Sequence, residues 1–311
     1  MNSRHIILRV GQALLVLLAA FALAFVLLTA LPSDAVMARY GSPELGLSPE
    51  QIEEIRAEYG ADQPLIMQFL VMLGGFLTGN LGYSVQTGTP VSGLLVEALP
   101  GTLALAIFAF VLACVLALIV AILATSSHPL RGFFTGLPAF MVSLPSFWLG
   151  IILIQVVSFQ LNLIPVIGAT DLQALILPAL TLSVPIAAPL AQVLIRSIEE
   201  VEEQPFITVV RSRGASEAWV FFRNVLRNAM LPTITMAGML FGELVGGAVV
   251  TEAVFGRAGI GKLTVDAVAN RDTPVLMAIV VLAALVFVII NLLVDLLYPL
   301  LDPRTRRKAR A

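Results

Sequence analysis

A glycine-rich stretch near the C-terminal end of the chain comes nearest to a known chemical site. Gly256, Gly261 and Lys262 have the spacing of the phosphate-binding pattern G-x-x-x-x-G-K-[ST], in which backbone amides hold phosphates and the last hydroxyl binds Mg²⁺. The residue after the lysine is Leu263, so that hydroxyl is missing. The stretch also follows a long apolar segment rather than a buried strand. We therefore predict a glycine turn and a short external helix here, and no nucleotide site.

No other pattern in the sequence favours catalysis. The motifs H-E-x-x-H and G-x-S-x-G do not occur, and the apolar segments hold no cluster of His, Cys and carboxylate residues that would suit a metal ion. Cys114 is the only cysteine, which excludes a disulfide framework. We expect a chain that is not an enzyme and has no metal, no cofactor and no nucleic-acid partner.

The composition indicates a protein that needs lipid. Apolar residues make up 59% of the 311 positions and charged residues only 12%, about half the share found in soluble domains. Runs of about 20 apolar residues are long enough to cross a bilayer, and in lipid they must be helical. The sequence therefore predicts an all-α membrane protein with about six transmembrane helices. The predicted spans are 10–31, 99–125, 133–159, 175–195, 229–250 and 275–301.

The basic residues predict the orientation. Six spans place both termini on one side, and cytoplasmic segments are enriched in Lys and Arg. Thirteen of the 18 Lys and Arg residues would share the side of the termini, so we expect both termini in the cytoplasm and the chain in the inner (plasma) membrane. The thirteen are Arg4, Arg9, Arg131, Arg196, Arg211, Arg213, Arg223, Arg227, Arg304, Arg306, Arg307, Lys308 and Arg310.

This orientation divides the chain into three parts. Residues 1–31 form a cytoplasmic N-terminus and a first helix, which is too long for a secretory signal and is expected to be retained. Residues 32–98 form an external insertion. Residues 99–311 form a five-helix core. The core includes a cytoplasmic loop at 197–228 and a cytoplasmic tail at 302–311.

The external insertion begins with helix signals. Ser48, Pro49 and Gln51 form a capping box that opens a helix, and Gly60 suits the position just past its end. The apolar stretch 64–77 is too short to span a bilayer. It is expected to lie at the membrane interface or to pack on the tops of the spans.

Turning chain is predicted in the second half of the insertion, where glycines and a proline surround Tyr83, Gln86 and Thr87. The insertion is either a structural cap or a docking surface for an external partner. In the second case these three residues would contribute to docking.

The cytoplasmic loop 197–228 has the pattern of a helical hairpin. Two amphipathic stretches flank Gly214, and Ser216 is suited to cap the second helix. A soluble hairpin that projects from a membrane bundle favours a cytosolic partner. The alternative is a solvated connector with interfacial helices.

Polar residues within the spans are candidates for a translocation path, because a charge there is costly. Glu243 lies among glycines in the fifth span and would line the path or make an interhelical hydrogen bond. Ser143 and Asn291 are further candidates for the path, whereas Asp295 is expected to be structural. The prolines expected to kink spans three and four are Pro145, Pro178, Pro185 and Pro189.

Several segments share the pattern of one known family. In the cytoplasmic loop these are 211–216 (RSRGAS) and 226–232 (LRNAMLP). Elsewhere they are 80–84 (NLGYS), 143–150 (SLPSFWLG), 177–182 (LPALTL), 246–255 (GGAVVTEAVF), 291–298 (NLLVDLLY) and 301–304 (LDPR). With these segments the chain resembles, nearly end to end, the inner-membrane permeases of dipeptide, oligopeptide and nickel ABC importers.

The resemblance implies a type I ABC importer permease fold and a coupling helix that inserts into a groove of an ATPase. The residues it assigns to coupling are Val209, Val210, Arg211, Ser212, Arg213, Gly214, Ala215 and Ser216. One departure is that relatives carry an acidic-Tyr-Val lead, whereas this chain has Gln204-Pro205-Phe206. Because proline can open a helix but not continue one, the start of the coupling helix is expected to be shifted.

The resemblance also implies partners. These are a second permease, expected to be a distinct chain, two cytosolic ATPases that bind ATP and Mg²⁺, and an external solute-binding protein. The implied cargo is a di- or oligopeptide, with nickel, haem or glutathione as alternatives. A secondary transporter or channel that works alone, and a membrane enzyme, remain as rival interpretations of the residues.

Overall fold

The computed structural model describes residues 3–29, 40–41, 47–58, 63–126 and 129–301, except for the side chains of 3–7, 58, 245 and 293–301. Helices dominate this part of the chain. They are α1 (Ser3–Thr29), α2 (Pro49–Glu58), α3 (Leu65–Thr78), α4 (Val91–Ser126), α5 (Arg131–Ser143), α6 (Ser146–Leu153), α7 (Gln173–Glu202), α8 (Pro205–Ser212), α9 (Glu217–Val220), α10 (Leu226–Val254), α11 (Ile260–Ala269) and α12 (Thr273–Leu301). Two π-helical segments, Ile154–Gln160 and Phe221–Val225, follow α6 and α9.

The described residues contain four helices that are long and apolar enough to span a membrane, or six spans if each of two bent helix pairs counts as one. Four are single helices, and two are helix pairs that are each bent at a short break. The single spans are Leu8–Thr29, Val91–Ser126, Gln173–Glu202 and Thr273–Leu292. The bent pairs are Arg131–Ser143 with Ser146–Gln160, and Glu217–Leu244 with Gly246–Val254. This count confirms the predicted all-α membrane protein with about six spans.

The third span is not the single helix that was predicted for 133–159. The α5 helix and the Ser146–Gln160 helix meet at an angle of 100°. Leu144 is extended, with φ −81° and ψ 119°, because a residue that precedes proline avoids the helical region. Pro145 therefore breaks the span rather than only kinking it. In contrast, α7 continues as one helix through Pro178, Pro185 and Pro189.

The α4 helix corresponds to the predicted second span but begins earlier in the chain. The α4 helix starts at Val91, directly after Pro90, and not at residue 99. Residues 91–98 of the predicted insertion therefore belong to a transmembrane helix. Pro100 lies inside α4, where its missing N–H removes one backbone hydrogen bond without ending the helix.

The chain forms two compact units. The first comprises Met1–Thr102 and Gly256–Ile289, and the second comprises Leu103–Phe255 and Ile290–Ala311. The α7 helix is central to the second unit and packs on α5, α6 and α10. Alanines on α4, α7 and α10 supply much of the buried cluster, and small side chains let helices approach closely in a membrane.

The first unit has two buried clusters. One joins the start of α4 to α11 and α12, and includes Val91, Ile260 and Val275. The other joins α1 to α12 through Phe21 and Met277, with α3 packed against it. Each cluster joins helices that lie far apart in the sequence.

The predicted capping box of α2 is confirmed. The Ser48 amide donates to the Gln51 side chain at 2.8 Å, and the Gln51 amide donates back to the Ser48 hydroxyl at 3.3 Å. A hydrogen bond from the Ser48 side chain also lowers the pKa of the Glu50 carboxyl in the first turn. The sequence therefore identified both the start of this helix and the chemistry that caps it.

Some predictions fall outside the described residues. These concern Gly60 as a helix end, the side chain of Asp295, and the tail 302–311.

Candidate functional site

A compact helical hairpin follows α7. Only Glu203 and Gln204 separate α7 from α8, and Pro205 occupies the first position of α8. The turn contains Gly214 with φ +84°, a conformation that favours glycine, and the Gly214 amide donates to the Arg211 carbonyl at 3.0 Å. The Ser216 hydroxyl then accepts from the Trp219 amide at 3.4 Å. The predicted helix, glycine turn and capped second helix are confirmed.

The second helix of the hairpin differs from the prediction in one respect. It does not end at residue 228 before a separate fifth span. The chain instead runs from Glu217 through the π-helical segment Phe221–Val225 directly into α10. A displacement of the hairpin would therefore act on the base of a transmembrane helix without an intervening loop.

One face of the hairpin is anchored in the core of the second unit. Ile207 on α8 is 0% exposed, and Val220 on α9 is 1% exposed. Both belong to the buried cluster that contains Leu194 and Ile198 of α7. The half-buried Val210 packs against the same cluster, as does Ala215, so these two predicted coupling residues face the core.

The other face of the hairpin is exposed. Large apolar side chains are accessible on it, and the remaining predicted coupling residues lie among them. The exposed apolar residues are Phe206, Val209, Trp219 and Phe222. The other exposed coupling residues are Arg211, Ser212, Arg213, Gly214 and Ser216. This surface combines apolar and basic groups, which suits a protein partner better than bulk water.

A bidentate ion pair closes the turn. The Arg211 guanidinium donates from Nη2 to one Glu217 carboxylate oxygen at 3.1 Å and from Nε to both oxygens at 3.2 Å. Sequence reasoning missed Glu217. A signal was available, because Glu217 directly follows the capping Ser216, where an acidic residue suits the first turn of a helix.

On the first unit, a buried carboxylate holds the turning segment 83–90. Asp272 is 3% exposed and accepts hydrogen bonds from the Ser84 hydroxyl and from the amides of Val85 at 3.3 Å and Gln86 at 3.2 Å. The Ser84 hydroxyl in turn accepts from the Thr87 amide at 3.0 Å. Sequence reasoning missed this cluster, since its two side chains are 188 positions apart.

The cluster presents the three predicted docking residues to the surface. Tyr83, Gln86 and Thr87 are all exposed, and Tyr83 also pairs with Pro90 in an antiparallel bridge. A cavity of about 700 Å³ adjoins Tyr83. Polar groups from Gln63, Gln68 and Asn80 contribute to its lining.

The three candidates for the translocation path lie on three elements. Ser143 ends α5 at the broken span, and its hydroxyl donates to the Phe140 carbonyl at 2.7 Å. Glu243 is exposed in the middle of α10, and Asn291 is half-buried on α12. Among the described residues, no hydrogen bond joins Ser143 to Glu243. Ser143 and Glu243 are therefore not joined by a direct hydrogen bond.

The glycine-rich stretch forms a turn and a short helix, as predicted. Gly256 has φ +62°, and α11 begins at Ile260. The Ile260 amide, which a phosphate would need, instead donates to the Thr102 hydroxyl at 2.8 Å. The first amide of α11 is therefore already hydrogen-bonded to another residue of the first unit.

Comparison with known proteins identifies the family. Residues 115–307 match the family described as "Binding-protein-dependent transport system inner membrane component", and residues 2–106 match its N-terminal counterpart. The chain belongs to this family. It is therefore the permease subunit of an ABC importer in the inner membrane, which favours transport over the rival enzymatic interpretation.

Curated relatives match over nearly the whole chain. The permease subunit is 37% identical to the glutathione transport system permease protein GsiC of Escherichia coli (strain K12), over 92% of this chain and 93% of that protein. It is 36% identical to a putative peptide transport system permease protein of Brucella melitensis biotype 1, over 98% and 99% of the two chains.

A solved structure supports the fold. A crystal structure of an amino acid ABC transporter with histidines superposes with a TM-score of 0.54 at 18% identity, covering 67% of this chain and 94% of that chain. At this identity the likeness concerns the fold alone, which is the type I permease fold.

Proposed function

We propose that this permease subunit encloses half of the pathway of an ATP-driven peptide importer and receives its driving movement through the hairpin 205–228. The observation that carries the proposal is the two-sided hairpin. One face is buried in the transmembrane core, and the other exposes apolar and basic side chains.

Mechanically, the hairpin would act as a lever. Two cytosolic ATPases bind ATP and Mg²⁺, and their closure displaces the exposed face around Trp219 and Val209. The buried Ile207 and Val220 are close-packed against α7, so the displacement passes into the core rather than being absorbed by a gap. The direct continuation of the hairpin into α10 provides a second route to the membrane.

The partner of the pathway is a second permease subunit, which we propose to be a distinct chain. An exposed carboxylate at Glu243 supports this assembly, since a charge in contact with acyl chains is unfavourable. In the complex, Glu243, Ser143 and Asn291 would line the path or the interface between the two permeases.

On the external side, a solute-binding protein would deliver the cargo. The ordered surface of Tyr83, Gln86 and Thr87 is the proposed landing area, because Asp272 fixes the backbone beneath it. We accordingly propose that both termini lie in the cytoplasm, as the distribution of basic residues predicts.

The proposed cargo is a short peptide. Of the two relatives compared, one is named for peptides and the other for glutathione, which is itself a tripeptide. Calorimetric titration of the binding protein that co-purifies with this permease distinguishes these cargoes. Selective binding of glutathione over di- and oligopeptides would show that glutathione is the cargo, in place of the di- or oligopeptide that we propose.

The coupling role is tested by the variant Gly214→Arg in the assembled importer. Any side chain is strained at φ +84°, which costs about 1–2 kcal/mol, so the variant should distort the turn and lower cargo uptake per ATP. The matched control is Gly132→Arg, at a helical position on α5 where an added Cβ meets nothing within 4 Å. Uptake by Gly214→Arg equal to that of the control, at equal amounts in the membrane, would contradict the proposal.

A further inference from the structure

The α3 helix packs against the external third of α1. Phe69 stacks edge-to-face on Phe21 at 5.4 Å and on Phe25 at 5.3 Å between ring centroids, and Phe76 contacts Phe21 at 5.2 Å. Met72 and Leu73 join the same buried cluster. These four residues recur at positions i, i+3, i+4 and i+7, so they form one face of the helix.

A second face of α3 is also apolar, and the other described residues leave it uncovered. Ile66 is 77% exposed and Leu77 is 80% exposed, with Met67, Leu70 and Val71 exposed between them. The sequence of α3, LIMQFLVMLGGFLT, contains no charged residue. Its only amide side chain, Gln68, turns back to donate to the Gln63 carbonyl at 2.7 Å.

The depth of α3 follows from its contacts with α1. That span ends at Thr29, and Phe25 and Phe21 lie four and eight residues before this end. At 1.5 Å per residue they lie about 6 and 12 Å below the end of the span. The rings of α3 reach both of them, so α3 lies at the depth of the hydrocarbon core and not above it.

Length excludes a full crossing. Fourteen residues extend over about 21 Å, which is shorter than a hydrocarbon core of roughly 30 Å. The helix must therefore be confined to one leaflet or lie at an angle within it. A left-handed Gly79, with φ +80°, ends the helix and turns the chain away.

We propose that α3 is a half-membrane helix whose outward face, formed by Ile66, Met67, Leu70 and Leu77, is covered by acyl chains of the external leaflet. The term external rests on the proposed orientation, whereas burial in a leaflet does not. Protein interfaces are enriched in Tyr, Trp and Arg, and none of these three residue types occurs in α3. Leu23 and Leu27 on α1 also expose large apolar groups.

Spin labelling of the complete importer in lipid bilayers tests this proposal. Single cysteines are introduced at Leu70, at Leu23 as a lipid-facing control, and at Glu54 on α2 as a water-facing control, after Cys114→Ala is shown to retain uptake. Collision rates of each label are measured with oxygen, which concentrates in lipid, and with a nickel chelate, which stays in water.

We expect the Leu70 label to resemble the Leu23 label, with nickel collisions roughly tenfold fewer than at Glu54, because polar solutes partition poorly into hydrocarbon. Nickel collisions as frequent as at Glu54 would show a water-facing or binding-protein surface and overturn the proposal. Low collision rates with both reagents would show that a protein subunit covers the face, which also overturns it. Uptake by each labelled importer is measured separately, so failure of the transport proposal is distinguishable from failure of this one.

Discussion

Replacing Asp272 by Asn should release the turning segment 83–90. The carboxylate is buried and accepts three hydrogen bonds, of which two come from backbone amides. Asparagine has the same shape, so it leaves no cavity. It removes the charge and replaces one acceptor oxygen by an NH₂ group, which must face a donor of the segment.

The size of the effect can be worked from these contacts. A hydrogen bond to a charged group contributes about 1.5–3 kcal/mol, and a buried donor left unsatisfied costs about 1–3 kcal/mol. Because one amide loses its acceptor and the other bonds become neutral, we expect the free energy of local opening to fall by about 3 kcal/mol. That change corresponds to roughly 100-fold more opening.

Hydrogen exchange of the permease in lipid discs measures this opening. The amides of Val85 and Gln86 should lose roughly 100-fold protection in Asp272→Asn, while amides of α7 remain unchanged. The control is Asp266→Asn, which alters an exposed carboxylate on α11. Exchange at the two amides that stays within about threefold of the wild-type rate corresponds to a change of under ~1 kcal/mol in the free energy of opening. That result would show that the carboxylate does not hold the segment.

Two further predictions concern the hairpin and the packing of the first unit. Arg211→Glu and Glu217→Arg should each lower uptake per ATP, and the double swap should restore it. The pair is exposed (41% and 74%), so its contribution to stability is only about 0–1 kcal/mol and the melting temperature should barely change. A double variant as defective as the singles would argue against the pair. Separately, Gly101→Ala would place Cβ 2.7 Å from the Ala258 carbonyl oxygen and should cost about 1–3 kcal/mol in thermal unfolding, whereas Gly93→Ala meets nothing within 4 Å. Equal melting temperatures for these two variants would contradict the observed approach.

Local chemistry explains what could be predicted from the sequence. The capping box at Ser48 and the glycine turn at Gly214 depend on neighbouring residues, so their side chains and spacing are sufficient to predict them. The spans are predictable for a similar reason, because a long apolar run in lipid has few structural choices.

Long-range pairing explains what could not be predicted. Ser84 and Asp272 each look like ordinary polar residues near the end of a span, and only the fold brings them together. The broken third span was only half predictable. Pro145 indicated a disturbance, but the 100° turn depends on the extended conformation of Leu144, which the prediction did not specify.

The exposure of Glu243 supports the proposal that two permeases enclose the pathway. A charged side chain near the centre of a transmembrane helix costs at least about 2.5–3.5 kcal/mol when it faces lipid. Glu243 forms no ion pair with another described residue, and its side chain is exposed while the neighbouring Leu240 and Leu244 on α10 are buried. In the proposed importer, this carboxylate would face water in the pathway or a polar group of the second permease.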